Sequence, residues 1–352
     1  MKRYHPAIRT LKIYWAWIAL LVLSACAGTG LDGAPLTIKI GLVAPFEGLH
    51  RPLGYEALFA AKLALQERNT AGGVNGYQVE LVALNDFDDP VEAYIQASAL
   101  VADPDVLGVV GHLSSKATLA AMPVYREANL AMSIPWTTRP VEYQGGVVSV
   151  AATSVEAAQR LETLVYDRGF NQIATVSDRQ FGTISTDVQA IVLDTDAVAA
   201  GEIALALRED GIMQPLLGYV DVGSPQVVQV GRQAAAGLMY VSPGPDPVTM
   251  GEATNFVAAY QAAAGFPPGP RAVLAYDATN VLLDAIEQAF REQGGHPTRA
   301  EVSTAINGIA RQGLSGEIMF DTRGQRVNAP IWIYQISEEG RYPGVLVTPE
   351  EK

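Results

Sequence analysis

Predicted strands and helices alternate along the chain from Leu36 onward, and this alternation limits the fold more than any other feature of the sequence. Short apolar runs predict strands, and the stretches between them have helical periodicity. The strands fall at 37–44, 78–85, 106–111 and 130–134, and the helices at 55–69, 90–102 and 116–128. Such βαβ units place parallel strands in one sheet with helices on both faces. The sequence therefore predicts an α/β fold that begins with a three-layer sandwich.

A second series of the same kind begins near Ala152. Its strands are predicted at 172–177, 188–193, 215–220 and 237–241, and its helices around 155–168, 197–210 and 224–234. Further helices are predicted at 249–264, 271–293 and 298–311, and closing strands at 317–321 and 331–336. The two halves repeat an architecture without repeating a sequence. We therefore expect two similar lobes, with the chain crossing between them more than once.

The connection between the first two strands of the second series is unusually short. Only nine residues separate Ser177 from Asp187. A parallel crossover takes about a dozen residues or more and usually contains a helix. We therefore expect the second lobe to lack one helix–strand unit.

The first 25 residues have the parts of an export signal. Residues 1–12 hold four basic residues and no acidic ones, an apolar run of eleven follows at 13–23, and small residues precede Cys26. Eleven helical residues span only ~16 Å, so we do not expect a permanent transmembrane helix. The LSAC tetrapeptide resembles the lipobox of bacterial lipoproteins, which implies cleavage before Cys26 and acylation of that cysteine. The alternative is an ordinary signal peptide with an incidental cysteine.

Residues 26–35 are expected to form a flexible tether. Gly28, Gly30 and Gly33 in this segment spell G-x-G-x-x-G. A dinucleotide site requires a strand before this pattern and a helix after it. Neither is predicted here, so the pattern carries no functional prediction.

Charge and cysteine content exclude several classes of function. The chain has 24 Lys and Arg against 37 Asp and Glu, and loss of the four basic residues of the signal would move the net charge from −13 to −17. Nucleic-acid binding needs basic residues concentrated on one face, so no nucleic-acid partner is expected. A single cysteine excludes a disulfide framework and a Cys-based zinc site.

Two polar loops follow predicted strands of the first lobe, where open parallel sheets bind ligands. In the HLSSKAT loop, the hydroxyls of Ser114 and Ser115 and the free N–H groups of a helix start suit a carboxylate or phosphate. The PWTTRP loop adds Trp136, Thr137 and Thr138. The alternative roles are helix capping for the serines and packing between lobes for the tryptophan.

Common enzyme and metal motifs are missing from the sequence. It contains no G-x-S-x-G, H-E-x-x-H or G-x-x-x-x-G-K-[ST] pattern. His112 beside Ser114 suggests a base and a nucleophile, but no orienting acid is evident. The acidic NDFDD segment at 85–89 does not match the EF-hand spacing. We therefore expect neither an enzyme nor a cofactor or metal, and keep catalysis by His112 with the serines as an alternative.

Several segments resemble the bacterial Leu/Ile/Val-binding family, the type I periplasmic solute-binding proteins of ABC importers. TIKIGLVAPFEG, NTAGGVNGYQVELVALNDFDDP and VLGVVGHLSSKATLAAMPVYREANLAMSIP carry the similarity in the first lobe. GLMYVSPGPDP, AAYQAAAGFPPGPRAVLAYDA and LSGEIMFDTRGQRVNAPIWIYQ carry it later in the chain. The resemblance runs from about residue 37 to 336. It implies two lobes joined by three hinge strands and closing on a small ligand.

The resemblance also implies roles for residues of the first lobe. The carboxylate of an amino-acid ligand would be held by Ser115, Thr138 and backbone around Trp136. Leu53 or Arg51, in the loop after the first strand, would contribute a side chain to the cleft.

The second lobe departs from the family pattern. Phe181 stands where a tyrosine is common, and no second cleft aromatic is present near residues 194–196. Asp221 is the counterpart of the acid that usually receives the ligand's ammonium group. Lys116 and Arg139 would favour a more anionic ligand unless they point to solvent.

We therefore expect a lipid-anchored, extracytoplasmic solute-binding protein. It would deliver an amino acid, amide or carboxylate to an ABC permease and its ATPase, in the periplasm or at the cell surface. The expected lobe limits are 36–152 with 245–325, and 153–244 with 326–347. The alternatives are a ligand-sensing receptor module on the same fold and a degenerate paralogue, which predicts a collapsed cleft.

Overall fold

The computed structural model describes residues 36–137, 145–179 and 181–347. The predicted signal segment, Cys26, Thr138 and Arg139 lie outside these residues. From Ile38 onward the chain forms one compact unit, which holds two large sheets. Within the described ranges, no helix combines the length and hydropathy needed to span a bilayer.

The first sheet has five strands. These are β1 (Thr37–Ala44), β2 (Gln78–Asn85), β3 (Val106–Gly111), β4 (Ala131–Ile134) and β5 (Val147–Ser149). Their order is β2-β1-β3-β4-β5, and β3 runs parallel to both β1 and β4. All six residues of β3 are buried, as expected for a central parallel strand with helices on both faces.

Three helices connect the strands of the first sheet as predicted. They are α1 (Arg51–Thr70), α2 (Pro90–Ala102) and α3 (Ser115–Glu127). The start of α2 has a clear local cause, because the Asp89 carboxylate accepts hydrogen bonds from the N–H groups of Val91 and Glu92 at 2.8 and 3.1 Å. Pro90 occupies the first helical turn, where its missing N–H costs nothing.

The second half of the chain repeats the alternation. Its elements are α4 (Ser154–Asp167), β6 (Ile173–Val176), β7 (Ala190–Leu193), α5 (Ala197–Glu209), β8 (Leu216–Gly218), α6 (Pro225–Gly231) and β9 (Met239–Ser242). β6 and β7 pair in parallel along their whole length. The described residues of the 177–189 connection contain no helix. The prediction of a shortened second lobe is therefore confirmed at this connection.

The C-terminal part contributes to both sheets. Its elements are α7 (Thr254–Ala264), α8 (Pro270–Gln293), α9 (Arg299–Ala305), β10 (Arg311–Gly313), β11 (Gly316–Ile318), β12 (Trp332–Gln335) and β13 (Val345–Leu346). The second sheet has the order β13-β12-β9-β8-β7-β6, with β12 antiparallel to β9 and to β13.

Each sheet lies between two helical layers, as predicted. Apolar residues of α1 and α8 share one core with β1 and β3, and residues of α2 and α3 form a core on the opposite face. In the second sheet, α4 packs on one face, and α5 and α6 pack on the other. Helices α7, α8 and α9 follow β9 in sequence but pack with the first sheet, so the chain passes repeatedly between the two sheets.

Some elements differ from the sequence prediction. The structure contains β5, β10 and β13, which were not predicted; these strands have two or three residues each, too few to show periodicity. The strand predicted at 317–321 corresponds to β11, which is shorter and begins one residue earlier. The predicted helix at 224–234 ends as α6 at Gly231, because Arg232 adopts a positive φ of 48°. The predicted helices at 249–264 and 298–311 are shorter because parts of them are 3₁₀ turns. The 3₁₀ segments are Val220–Val222, Arg232–Ala235, Pro247–Thr249, Gly251–Ala253 and Ile306–Gly308.

Arg326 holds in place the segment between β11 and β12, one of the segments in which the chain passes from the first sheet to the second. Its side chain is 3% exposed, and all three guanidinium nitrogens donate hydrogen bonds. The acceptors are the carbonyl oxygens of Val150, Ser315 and Glu317 and the Ser315 hydroxyl, at 2.7–3.0 Å. Asp277 of α8 also accepts from Ser315, which connects this passage to the helix packed on the first sheet.

Candidate functional site

A cavity of about 890 Å³ lies between the two sheets, beyond the carboxyl ends of their parallel strands. The first sheet lines it with the loops after β3 and β4, and the second with the loops after β7 and β8. The lining includes five of the predicted ligand contacts, Leu53, Ser114, Ser115, Trp136 and Asp221. This volume falls in the usual range of small-molecule sites. A collapsed cleft, which the degenerate alternative predicts, is not observed.

The structure does not place Thr137 or Phe181 in the lining of the cavity. Thr137 is 4% exposed and its side chain is buried beside the lining. Phe181 packs against the core under the second sheet with Ile184 and Val188. Thr138 lies outside the described residues. The ligand contacts expected from Phe181 and Thr138 stay predictions.

The N-terminus of α3 faces the cavity. The Ser114 hydroxyl caps the helix by accepting a 3.4 Å hydrogen bond from the N–H of Ala117, and Ser115 is the first helical residue. Helix N-termini carry partial positive charge and free N–H donors, which favour an anion. The first turn of α3 contains no acidic residue. An organic carboxylate at this end of the cavity therefore meets hydroxyl and N–H donors without a competing charge from the helix.

His112 is buried beneath this loop and has two protein partners. Its Nδ1 lies 2.7 Å from Asp86 Oδ2, and its Nε2 lies 3.2 Å from the Tyr125 hydroxyl. Burial, with a smaller contribution from the charge of Asp86, raises the pKa of Tyr125 well above its usual value, so the hydroxyl keeps its proton and can donate. A neutral His112 that donates through Nδ1 and accepts through Nε2 satisfies all three groups. This arrangement leaves neither ring nitrogen to act as a base for the serines.

Lys116 forms an ion pair at the edge of the cavity. Its Nζ lies 2.9 Å from Asp88 Oδ2, and His50 Nε2 lies 3.3 Å from the same oxygen. Asp88 is held in the left-handed region at φ 56°, and its N–H donates to Asp86 Oδ1. Because Asp88 pairs with Lys116, the positive charge that this lysine offers to a ligand is reduced.

Trp136 and Arg271 form the inner wall of the cavity. Trp136 is fully buried, and the guanidinium carbon of Arg271 lies 5.4 Å from the centre of its ring. Arg271, in the first turn of α8, is 2% exposed and donates from Nη2 to the carbonyl oxygen of Val220 at 2.8 Å. Since α8 packs with the first sheet and Val220 follows β8 of the second, this hydrogen bond joins the two sides of the cavity.

The second side of the cavity is acidic. The Asp196 carboxylate caps α5 by accepting from the N–H groups of Val198 and Ala199 at 2.8 and 3.0 Å. Asp194 is exposed and Asp221 is half-buried in the same wall. The cavity therefore presents N–H and hydroxyl donors on one side and carboxylates on the other, a distribution that complements a zwitterion.

Sequence reasoning missed Arg271 as a cavity residue. It also missed Gln226, whose side-chain amide donates to the carbonyl oxygen of Leu49 across the cavity. Arg271 lies far in sequence from the strand-end loops, and its position depends on how α8 packs. The available signal was a single cation directly before AVLAYDATNVLLDAI, a long and mostly apolar helical segment.

Comparison with known sequences decides the family. The profile of the family described as periplasmic binding protein matches residues 37–186 and 184–341. The chain belongs to this family. The resemblance to Leu/Ile/Val-binding proteins that the sequence motifs indicated is confirmed.

Relatives of this periplasmic binding protein span most of its length. The leucine-, isoleucine-, valine-, threonine- and alanine-binding protein of Pseudomonas aeruginosa is 25% identical over 344 residues, covering 85% of this chain and 90% of that protein. The Leu/Ile/Val-binding protein of Escherichia coli K12 is 26% identical over 292 residues, covering 78% and 79%. A branched-chain amino acid transporter substrate-binding protein of Streptococcus pneumoniae, solved with isoleucine, has a TM-score of 0.76 at 21% identity, covering 89% and 100%. The two-lobed type I fold is thereby confirmed.

The cap of α5 gives a direct test of the second wall of this binding protein. We expect Asp196→Ala to lower the free energy of unfolding by about 1 kcal/mol, because two N–H groups lose their acceptor. Asp210→Ala, at the other end of the same helix, should cost nothing, since an acid is unfavourable at a helix C-terminus. Urea unfolding of both variants measures the difference. Equal stabilities would show that the Asp196 cap does not stabilise α5.

Proposed function

We propose that this protein captures a small amino-acid-like or carboxylate solute between its two lobes and delivers it to an ABC permease. The observation that carries the proposal is the cavity of about 890 Å³ between the sheets, with polar groups converging on it from both sides. Sites of this kind bind small organic molecules. The names of the relatives, which specify amino acids, support the same class of ligand.

In this proposal the first lobe holds the ligand's carboxylate. Ser114, Ser115 and the N–H groups at the start of α3 supply the donors, and the buried ring of Trp136 excludes water from the inner end of the site. Thr138 remains a proposed contact from the adjoining loop. A carboxylate transferred from water to N–H and hydroxyl donors keeps its hydrogen bonds, which limits the cost of desolvation.

The second lobe would hold the ligand's cationic group. Asp221 and Asp194 line the wall opposite the serines, and Asp196 caps α5 in the same wall. A primary ammonium group donates three hydrogen bonds and gains most from a carboxylate partner. We assign the ammonium site to Asp221, with Asp194 contributing charge.

Binding would be coupled to lobe closure. We propose that residues 36–152 with 245–325 move as one lobe, and residues 153–244 with 326–347 as the other. A ligand that touches serines on one side and Asp221 on the other makes its full set of contacts only when the lobes are together. Its binding energy then shifts the equilibrium toward the closed form. The permease and ATPase would recognise this form.

Isothermal titration calorimetry tests the proposal. We expect the purified protein to bind at least one of the proteinogenic amino acids, succinate or butyrate. For an amino acid that binds, Asp221→Asn should weaken the affinity by tenfold or more, because a charge-assisted hydrogen bond contributes about 1.5–3 kcal/mol. Asp210→Asn, on an exposed helix end, serves as the matched control. No binding of any solute, or equal affinities for the two variants, contradicts the proposal.

We also propose that Cys26 carries the lipid that anchors the protein outside the cytoplasm. The support is the sequence alone, since the LSAC motif follows a short apolar segment with basic residues before it. The two acyl chains of a diacylglyceryl group are enough for stable membrane attachment without a transmembrane helix.

Labelling with palmitate in the native host tests the lipid anchor. We expect the wild-type protein and Ala27→Ser to incorporate the label, because both keep the cysteine of the lipobox. Cys26→Ala should not incorporate it. Label in the Cys26→Ala protein, or none in the wild type, would contradict the assignment.

A further inference from the structure

Two nitrogens of the buried Arg271 guanidinium have no hydrogen-bond partner within the described residues. Nη2 donates to Val220, but Nε and Nη1 are shielded from solvent and donate to nothing in this part of the chain. Arginine keeps its charge at all ordinary pH values. A buried donor without an acceptor costs free energy, and the cost is higher for a charged group.

Arg326 shows what this fold does with a purely structural arginine. Both side chains are nearly inaccessible, at 3% for Arg326 and 2% for Arg271. Every guanidinium nitrogen of Arg326 donates to a carbonyl or hydroxyl oxygen of the protein. Arg271 lines the cavity between the lobes, and two of its three buried guanidinium nitrogens have no acceptor within the described residues. A cavity-lining cation with buried donors and no acceptors is suited to bind an acceptor supplied by a ligand.

No carboxylate of the described protein forms an ion pair with Arg271. Glu56 interacts electrostatically with Arg271, and its carboxylate also accepts a hydrogen bond from the N–H of Ala272, at the start of α8, at 2.9 Å. Burial raises the pKa of Glu56, although the charge of Arg271 opposes the rise. Glu56 is therefore a weak source of compensating negative charge.

The cavity thus has two separate places for an anion. One is the start of α3 with Ser114 and Ser115, and the other is Arg271, whose guanidinium lies against Trp136. An organic acid with two carboxylates can occupy both, and the planar guanidinium fork matches carboxylate geometry.

We propose that Arg271 binds a second carboxylate of the transported solute, so that the ligand class is a small diacid, either an acidic amino acid or a dicarboxylate. The proposal rests on the proposed function, because it places the ligand in the same cavity. It assigns Arg271 the role of selecting diacids over neutral solutes of the same shape.

Calorimetry with matched solute pairs tests this inference. The pairs are L-glutamate with L-glutamine and succinate with succinamate, which differ only in whether the second group is a carboxylate or an amide. We expect the diacid of at least one pair to bind roughly ten- to a hundredfold more tightly than its amide. An amide that binds as tightly as its diacid in both pairs overturns the role of Arg271 but leaves the proposed function standing. No binding of any solute contradicts both.

Variants of Arg271 test whether its side chain causes the preference for the diacid. Arg271→Gln should abolish the preference for the diacid while retaining binding of the amide, and Arg271→Lys should retain part of it because the charge remains. Arg323→Gln, an exposed arginine paired with Asp321, is the matched control and should bind as the wild type does. If Arg271→Gln weakens the diacid and the amide equally, Arg271 does not recognise the second carboxylate. Because the wild-type comparison needs no variant, the inference stays testable even if Arg271→Gln does not fold.

Discussion

Parallel pairing of the strands is the constraint on which the rest of this structure depends. A parallel sheet places the carboxyl ends of its strands along one edge, so the loops that follow them gather there. Each of the two sheets has such an edge, and both edges line one cavity. The helices that start in these loops direct their N-termini toward it. The positions of Ser114 and Asp196 follow from this arrangement, since each caps a helix that begins at the cavity.

The charges around the cavity differ in how they are compensated. Lys116 is paired with Asp88 within the protein, so this pair shapes its loop without offering net charge to a ligand. Arg271 is the exception, because its open donors are shielded from bulk water. A solute that supplies the missing acceptors offsets the free-energy cost of burying the Arg271 donors. It does so most fully when the lobes are closed around it. Selectivity and closure therefore have the same physical origin in this account.

Much of the fold and part of the site could be predicted from the sequence. The α/β sandwich layers follow from local periodicity, and Ser114, Ser115 and Trp136 were found because strand ends identify ligand loops. The short connection after Ser177 also predicted that the second lobe lacks a helix at this point. Phe181 lies outside the lining of the cavity and packs against the core of the second sheet, so its contact with a ligand stays a prediction. Arg271 was missed because its position depends on packing between distant segments, which no local pattern encodes.

Closure of the lobes around a solute is the central claim, and a distance across the molecule tests it most directly. Helix α3 packs on the first sheet and α5 on the second, and both begin at the cavity. Their exposed distal residues, Glu127 and Glu209, therefore lie on opposite lobes. Spin labels are attached to cysteines at these two positions, with Cys26 replaced by alanine. Pulsed electron paramagnetic resonance then measures the distance between the two labels. The account predicts a broad distribution of distances without solute, and a shorter, narrower one at saturation with a solute that binds in calorimetry. An unchanged distribution at saturation would contradict it.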